Sequence, residues 1–252
     1  MTNPSAPEDG GARSRRQLAI YRLGLTLLGA TFRVAPLSAF LARVSKVFLR
    51  HARVRHLLRT GDFDSIVDGG ASVGEFASAA RAACPGVPLV CVEPHPPSAE
   101  ILRRDGFRVV EAALWKAPGR LRLTQPCDAT TSCSVALEPA EGRPSWDVDT
   151  IRLDAIGVSG DRILVKLDLQ GAEAEALEGM GALWPRCAAI LLEVSYGPSG
   201  SYESFRDLLA ARGFVEAGTL NELEEGGLPI EADKLFVSRA ASAAGLARAA
   251  RR

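Results

Sequence analysis

Apolar and polar positions alternate along the chain in two spacings, which predict where its strands and helices lie. From Asp64 onward, short apolar runs alternate with segments whose apolar residues recur every three or four positions. Short apolar runs are typical of strands buried on both faces, and the wider spacing is typical of helices. This alternation predicts a parallel sheet covered by helices on both faces. The predicted strands are 65–68, 89–92, 108–111, 163–167, 188–194, 214–217 and 235–237, and the predicted helices are 73–84, 98–105, 171–180 and 202–212.

Two regions depart from this alternation. Residues 115–150 interrupt it with a turn at Pro118 and Gly119, short predicted strands at 120–124 and 148–153, and a polar loop at 128–134. The segment before Asp64 has helical spacing with an interruption near Pro36. We therefore expect four parts: a disordered N-terminus at 1–17, a basic helical extension or cap at 18–60, the main domain at 61–239 and an Ala/Arg-rich tail at 240–252.

Charge is distributed unevenly, although the 252 residues have a formal net charge of zero. Residues 11–60 contain no Asp or Glu but many Arg and Lys residues. Two interpretations remain open: a helical cap with a solvated basic face, and a lid or membrane-surface helix that meets an anionic or lipid-linked substrate. The apolar run at 23–32 is about half of the ~20 residues needed to span a bilayer, so we expect no transmembrane helix.

The cysteines predict a reducing environment. There are five of them, an odd number without a regular spacing, which is typical of free thiols and not of a disulfide framework. No spacing of Cys and His matches a zinc site, so we expect no metal. The first ten residues lack the features of a secretory signal, and we predict a cytoplasmic protein. The cysteines are Cys84, Cys91, Cys127, Cys133 and Cys187.

The most informative motif follows the first predicted strand. It runs Asp68-Gly69-Gly70-Ala71-Ser72-Val73-Gly74, and Glu93 ends the second strand. A strand that turns through small residues into a helix brings its backbone close to a bound nucleoside, and an acid at the next strand can accept hydrogen bonds from ribose hydroxyls. The pattern is Asp-x-Gly-x-x-x-Gly and not Gly-x-Gly-x-x-Gly, which favours S-adenosylmethionine over a nicotinamide cofactor.

Acids follow several of the predicted strands. Ligands of open α/β sheets bind outside the carboxyl ends of the strands, so these acids are expected to share one edge. For Glu173, at the start of its helix, a capping role is as plausible as a functional one. The acids at strand ends are Asp68, Glu93, Asp168 and Glu193.

These motifs resemble the FkbM-type methyltransferases, a family of the class I S-adenosylmethionine-dependent fold. The resemblance covers about 64–238, and its most specific part is Lys166-Leu167-Asp168-Leu169-Gln170-Gly171-Ala172-Glu173. It implies a seven-stranded, mostly parallel Rossmann-like sheet whose last strand is antiparallel. It also implies O-methyl transfer from S-adenosyl-L-methionine to a hydroxyl of a sugar or other natural product.

The resemblance also implies roles for individual residues. The loop under the methionine and ribose would be shaped by Asp68, Gly70, Ser72 and Gly74. Glu93 would accept hydrogen bonds from the ribose, while Pro94 and Ala113 would lie near adenine. Asp168 would face the sulfonium methyl or take the acceptor's proton, and Glu193 would orient the acceptor.

Other functional classes fit the sequence less well. A nicotinamide-dependent reductase would need the three-glycine motif and often Tyr-x-x-x-Lys, and neither is present. N-methyltransferases of nucleic acids resemble one another in an (Asp/Asn)-Pro-Pro-aromatic segment at the end of the fourth strand, where this chain has Asp168-Leu169-Gln170-Gly171. The basic extension at 18–60 also lacks the interleaved aromatic residues on which nucleic-acid bases stack. A metal-dependent O-methyltransferase would need partner ligands for Asp168. We therefore expect a small-molecule acceptor and no nucleic acid. The alternative left open is an inactive protein that binds a membrane surface or an anionic ligand through residues 18–60; the sequence does not indicate the oligomeric state.

Overall fold

The computed structural model describes residues 46–124, 134–135, 144–197 and 200–243. The predicted disordered N-terminus, most of the basic extension, most of the polar loop and most of the C-terminal tail lie outside these residues. The helices are α1 Lys46–Thr60, α2 Glu75–Ala83, α3 Pro96–Arg104, α4 Glu173–Glu178, α5 Tyr202–Ala211 and α6 Arg239–Ala243. The strands are β1 Ser65–Gly69, β2 Leu89–Val92, β3 Arg108–Val110, β4 Ala113–Leu114, β5 Gly119–Thr124, β6 Ser134–Val135, β7 Ser145–Ile151, β8 Ile163–Leu167, β9 Cys187–Ser195, β10 Phe214–Glu225 and β11 Leu228–Ser238.

The main sheet has seven strands in the order β10-β11-β9-β8-β1-β2-β3. Strands β3, β2, β1, β8 and β9 are parallel, and the last strand, β11, is antiparallel to both of its neighbours. β1 and β8 are buried on both faces and are apolar except for Ser65, Asp68 and Lys166. The predicted mostly parallel seven-stranded sheet with an antiparallel last strand is confirmed.

Helices pack on both faces of this sheet. On one face, Val54, Leu57 and Leu58 of α1 are buried against strand residues such as Leu164 and Leu235. On the other face, α4 and α5 cover a second cluster of buried apolar residues. Because consecutive residues of a strand point to opposite faces, both clusters use residues of the same strands. Helix α1 also joins the sheet through Arg53, whose Nη1 donates to the carbonyl of Leu220 at 3.3 Å.

The interruption predicted over 115–150 corresponds to a second, smaller sheet with the order β4-β7-β5-β6. β5 and β7 pair antiparallel from Gly119 to Thr124, opposite Thr150 to Ser145. Leu123 and Val148 are buried in a small apolar cluster with Ala113. The small sheet also places the ring of Trp146 against His95, which follows β2.

The lengths predicted for the last two strands are wrong. Both strands were expected to be short, at 214–217 and 235–237. They instead form a long hairpin, β10 and β11, whose tip extends beyond the end of β9. The outer half of the hairpin is exposed and rich in Glu, so it lacks the apolar signal of a buried strand. Gly226 and Gly227 join the strands with φ values of 61° and 80°, as tight hairpin turns require.

Candidate active site

A cavity of about 330 Å³ lies at the carboxyl ends of β1, β2, β8 and β9. This is the edge at which open α/β sheets bind ligands, and the volume is within the range of small-molecule sites. One end is mainly apolar and the other carries acidic and amide groups. The lining includes Gly70, Ser72, Glu93, Pro94, His95, Ala113, Leu114, Leu123, Lys166, Asp168, Gln170 and Glu193.

The glycine turn between β1 and α2 packs tightly against the end of β8. Gly70 has φ of 69°, and a Cβ at this position would lie 1.9 Å from the carbonyl oxygen of Asp168. The Gly70 N–H donates to the carbonyl of Val92 at 3.0 Å. Only glycine therefore fits at this position, and the turn brings main-chain atoms to the cavity wall.

Glu93 is a buried acid held by main-chain donors. Its Oε2 accepts from the N–H of Ser72 at 2.7 Å, and its Oε1 accepts from the N–H of His95 at 2.9 Å. Burial raises the pKa of Glu93 to about 7, although the N–H groups of His95 and Ser72 act in the opposite direction. The carboxyl group is thus fixed in orientation, and each oxygen keeps a lone pair for another donor.

One end of the cavity is lined mainly by apolar residues. Pro94, Ala113 and Leu114 lie along it, and Leu123 reaches it from the small sheet. His95 is buried there, with its Nδ1 2.8 Å from Ser98 Oγ and its ring edge-on to Trp146 at 4.5 Å. Burial lowers the pKa of His95, which favours the neutral imidazole.

The polar end of the cavity holds two carboxyl groups joined by an amide. Gln170 Nε2 donates to Asp168 Oδ1 at 3.0 Å and to Glu193 Oε2 at 3.1 Å. Gln170 has φ of 57°, a left-handed conformation that is uncommon outside glycine. Burial raises the pKa of Glu193 far above its usual value, and the nearby Asp168 and Glu231 carboxyls raise it further. Glu193 therefore keeps its proton at neutral pH and can donate a hydrogen bond.

A buried lysine lies beneath these groups. Lys166 Nζ donates to the carbonyls of Gly69 at 3.1 Å and Gly70 at 2.9 Å, and it lies 3.2 Å from Asp68 Oδ1. Its distance to Asp168 Oδ2 is 3.6 Å. Burial raises the pKa of Asp68, and the Lys166 ammonium opposes that shift. Asp68 is completely buried, and its ion pair with Lys166 is the contact through which it can support the glycine turn.

Glu173 has a structural role. Its Oε1 accepts from the N–H of Leu169 at 2.7 Å, and its Oε2 accepts from the N–H of Gly171 at 3.1 Å. These bonds hold the loop that carries Asp168 and Gln170. Glu173 was considered for a capping role and for a functional role. Its contacts with local backbone N–H groups are those of the capping role.

Seven of the nine predicted site residues line one cavity, and Asp68 and Gly74 do not. Gly74 is the N-cap residue of α2, has φ of 87° and lies against Leu102 and Phe107. Sequence reasoning assigned no role to Lys166, Gln170 or His95, although the first two lie in the most specific motif. A lysine in an otherwise apolar strand is the signal that singles out Lys166. The seven residues in the lining are Gly70, Ser72, Glu93, Pro94, Ala113, Asp168 and Glu193.

Two negative findings apply to the described part of the chain. Within residues 46–124, 134–135, 144–197 and 200–243, no group of three or more His, Cys, Asp or Glu side chains could hold a metal ion. None of the helices described there has the length and apolar character needed to cross a membrane.

The sheet order, the glycine turn and the acid at the end of β2 are those of the class I methyltransferase fold. The family whose description is "Methyltransferase FkbM domain" matches residues 68–216, more than half of the chain. The chain belongs to this family, as its motifs predicted.

Several solved methyltransferase structures match the chain at low sequence identity and with TM-scores below 0.5. A methyltransferase FkbM from Methylobacillus flagellatus is 16% identical with a TM-score of 0.46, and the match covers 70% of this chain and 44% of that one. A TehB-like SAM-dependent methyltransferase from Corynebacterium glutamicum is 11% identical with a TM-score of 0.43, over 84% and 99% of the two chains. A SAM-dependent methyltransferase from Bacteroides fragilis in complex with S-adenosyl-L-homocysteine is 14% identical with a TM-score of 0.38, over 74% and 77%. No curated protein matches the sequence significantly.

Proposed function

We propose that this protein transfers a methyl group from S-adenosylmethionine to a hydroxyl group of a small molecule, with a sugar or natural product as the acceptor. The observation that carries the proposal is the pair of carboxyl groups, Asp168 and Glu193, joined by Gln170 at the polar end of the cavity. This pair lies next to the glycine turn, because Gly70 packs against the backbone of Asp168.

The residues present fit S-adenosylmethionine. The two oxygens of Glu93 are held by backbone donors and can each accept from a ribose hydroxyl, while the apolar end beside Pro94 and Ala113 suits adenine. Gly70 allows the main chain to approach the ligand. When bound, the cofactor supplies an electrophilic methyl on a positively charged sulfonium.

The polar end supplies groups that a hydroxyl acceptor needs. Asp168 lies 3.6 Å from the Lys166 ammonium, a positive charge that favours its ionised form. It is the residue we assign to accept the proton that the hydroxyl loses when oxygen bonds to carbon. Glu193, which keeps its proton, and the amide of Gln170 are assigned to orient the acceptor by hydrogen bonds.

Positioning is expected to contribute more to this reaction than proton transfer does. Holding two reactants in line can supply roughly 7–11 kcal/mol, whereas a general base contributes about 10²–10⁴-fold in rate. A weak base such as a carboxylate is sufficient if the approach is aligned. Gly70 packs against the backbone of Asp168, and we expect this contact to hold Asp168 in line with the bound cofactor.

The acceptor class can be tested with pairs of compounds that differ in one group. The purified protein is incubated with S-adenosylmethionine carrying a labelled methyl and with matched sugars and phenols that have either a hydroxyl or an amine at one position. We expect the label on oxygen, located by NMR, and its loss in Asp168→Asn. Label on nitrogen alone, or on added RNA alone, would contradict the proposal.

The expected surroundings of the protein are also part of the proposal. A small-molecule partner is supported by the size of the cavity, and a cytoplasmic location is supported by Cys84, Cys91 and Cys187, which are free thiols. The predicted cap at 18–60 is supported by α1, whose apolar residues pack onto the main domain, and the rest of the division into four parts stays a prediction. Peripheral membrane contact through residues 18–60 depends mostly on residues outside the described part.

A further inference from the structure

We propose that Lys166 is a positioning residue whose ammonium group ties the glycine turn to the end of β8 and thereby sets the affinity of the cavity for the cofactor. The inference rests on the proposed use of S-adenosylmethionine. It concerns a residue that the proposed reaction uses only for its charge, and it predicts an effect on binding that can be measured without knowing the acceptor.

Lys166 Nζ donates hydrogen bonds to two backbone carbonyls and forms ion pairs with Asp68 and Asp168. The carbonyl oxygens of Gly69 and Gly70 lie 3.1 and 2.9 Å from Nζ, and Asp68 Oδ1 lies at 3.2 Å. A lysine ammonium has three N–H groups and no acceptor. Two of these N–H groups are directed at the glycine turn, so Lys166 shapes the wall of the cavity that it lines.

The position of Lys166 is set by strand register. It lies directly opposite Asp68 on β1, in a strand whose other residues are Ile163, Leu164, Val165 and Leu167. Its side chain is only 7% exposed. A charge at such a position is unfavourable unless it is paired and hydrogen-bonded, so its contacts must compensate for its burial.

Removing the ammonium should loosen the turn. The carbonyls of Gly69 and Gly70 would lose a shared donor, and Asp68 would lose the charge that opposes its protonation. Both carbonyls belong to the turn that shapes one wall of the cavity. The turn and the end of β8 would keep their backbone contacts, namely the hydrogen bond from the Asp168 N–H to the Gly69 carbonyl at 3.2 Å and the packing at Gly70, but would lose the side-chain connection.

Lys234 provides a matched control. Its side chain is 10% exposed and its Nζ lies 3.0 Å from Glu216 Oε1 and 2.9 Å from Thr219 Oγ1. It is paired with Leu192 of β9, whereas Lys166 is paired with Leu191. Neighbouring residues of a strand point to opposite faces, so the two lysines lie on opposite faces of the sheet. Lys234 does not line the cavity.

The experiment is calorimetric titration with S-adenosylhomocysteine of the wild type, Lys166→Met, Lys166→Arg and Lys234→Met, with urea unfolding of each variant. We expect Lys166→Met to weaken binding at least about tenfold, Lys166→Arg to recover part of the loss because it retains charge and donors, and Lys234→Met to lose stability while its affinity stays within about twofold.

Three results would overturn the inference: an unchanged affinity in Lys166→Met, equal losses of affinity in Lys166→Met and Lys234→Met, or failure of both Lys166 variants to fold while Lys234→Met folds. The last result would make Lys166 a requirement for folding and not for positioning. Failure of the wild type to bind S-adenosylhomocysteine would instead contradict the proposed cofactor, so the two failures are distinguishable.

Discussion

Binding of S-adenosylhomocysteine should depend on pH through Glu93. Burial raises the pKa of this carboxyl to about 7 in the free protein, and ribose hydroxyls would donate to its ionised form. Lowering the pH below 7 protonates Glu93, and the ligand must then displace the proton. Affinity should therefore be highest above pH 7 and should fall as the pH decreases, with release of a proton on binding.

The size of this effect follows from the ionised fraction. With a pKa of about 7, roughly nine tenths of Glu93 is ionised at pH 8 and roughly one tenth at pH 6, so affinity should fall about tenfold, or about 1.4 kcal/mol. Burial lowers the pKa of His95 and raises that of Glu193, and both shifts favour the neutral form of the side chain.

Calorimetry at several pH values, in two buffers with different ionisation enthalpies, measures both the affinity and the released proton. Glu93→Gln should abolish the pH dependence, and Glu193→Gln should retain it. The Gln amide also cannot accept from both Ser72 and His95, which should reduce the free energy of unfolding by about 1–3 kcal/mol. An affinity that is constant from pH 8 to pH 6, or that rises toward pH 6, would refute the assignment of Glu93.

Three further predictions concern the turn and the acids. Gly70→Ala places a Cβ 1.9 Å from the carbonyl oxygen of Asp168 and should lower the free energy of unfolding in urea by about 3 kcal/mol or more. Gly106→Ala, at φ of 76° with open space around it, should lower it less, and equal losses in the two variants would contradict this packing. Asp168→Asn should lower turnover more than affinity for S-adenosylhomocysteine, and equal losses would indicate a structural role. Asp68→Ala deprives Lys166 of a buried partner and should reduce stability by about 3–5 kcal/mol with weaker ligand binding, both measurable in one preparation; no change in either would exclude the proposed support of the turn.

The main sheet was predictable because its strands are buried on both faces. The apolar runs that end at Asp68 and Glu93 mark β1 and β2, and the observed β2 and β8 have the predicted bounds. The outer half of the hairpin was not predictable from apolar spacing, since it is exposed and charged. Gly226-Gly227 was a local signal for its turn.

The candidate site was predictable as a set of strand ends but not as a set of contacts. The approach of Lys166 to Asp68 depends on the register of β8 against β1, which one sequence does not reveal. The link from Gln170 to both acids depends on its left-handed backbone, which is rare for glutamine. The contact of His95 with Trp146 depends on how the small sheet packs against the main one.

The central claim is that the cavity binds S-adenosylmethionine through Glu93. The most direct test is calorimetric titration of the wild type and Glu93→Ala with S-adenosylhomocysteine, with NADH as the control ligand. We predict micromolar binding to the wild type, loss of that binding in Glu93→Ala and no binding of NADH. Absence of S-adenosylhomocysteine binding to the wild type, or equal affinity in Glu93→Ala, would contradict the account.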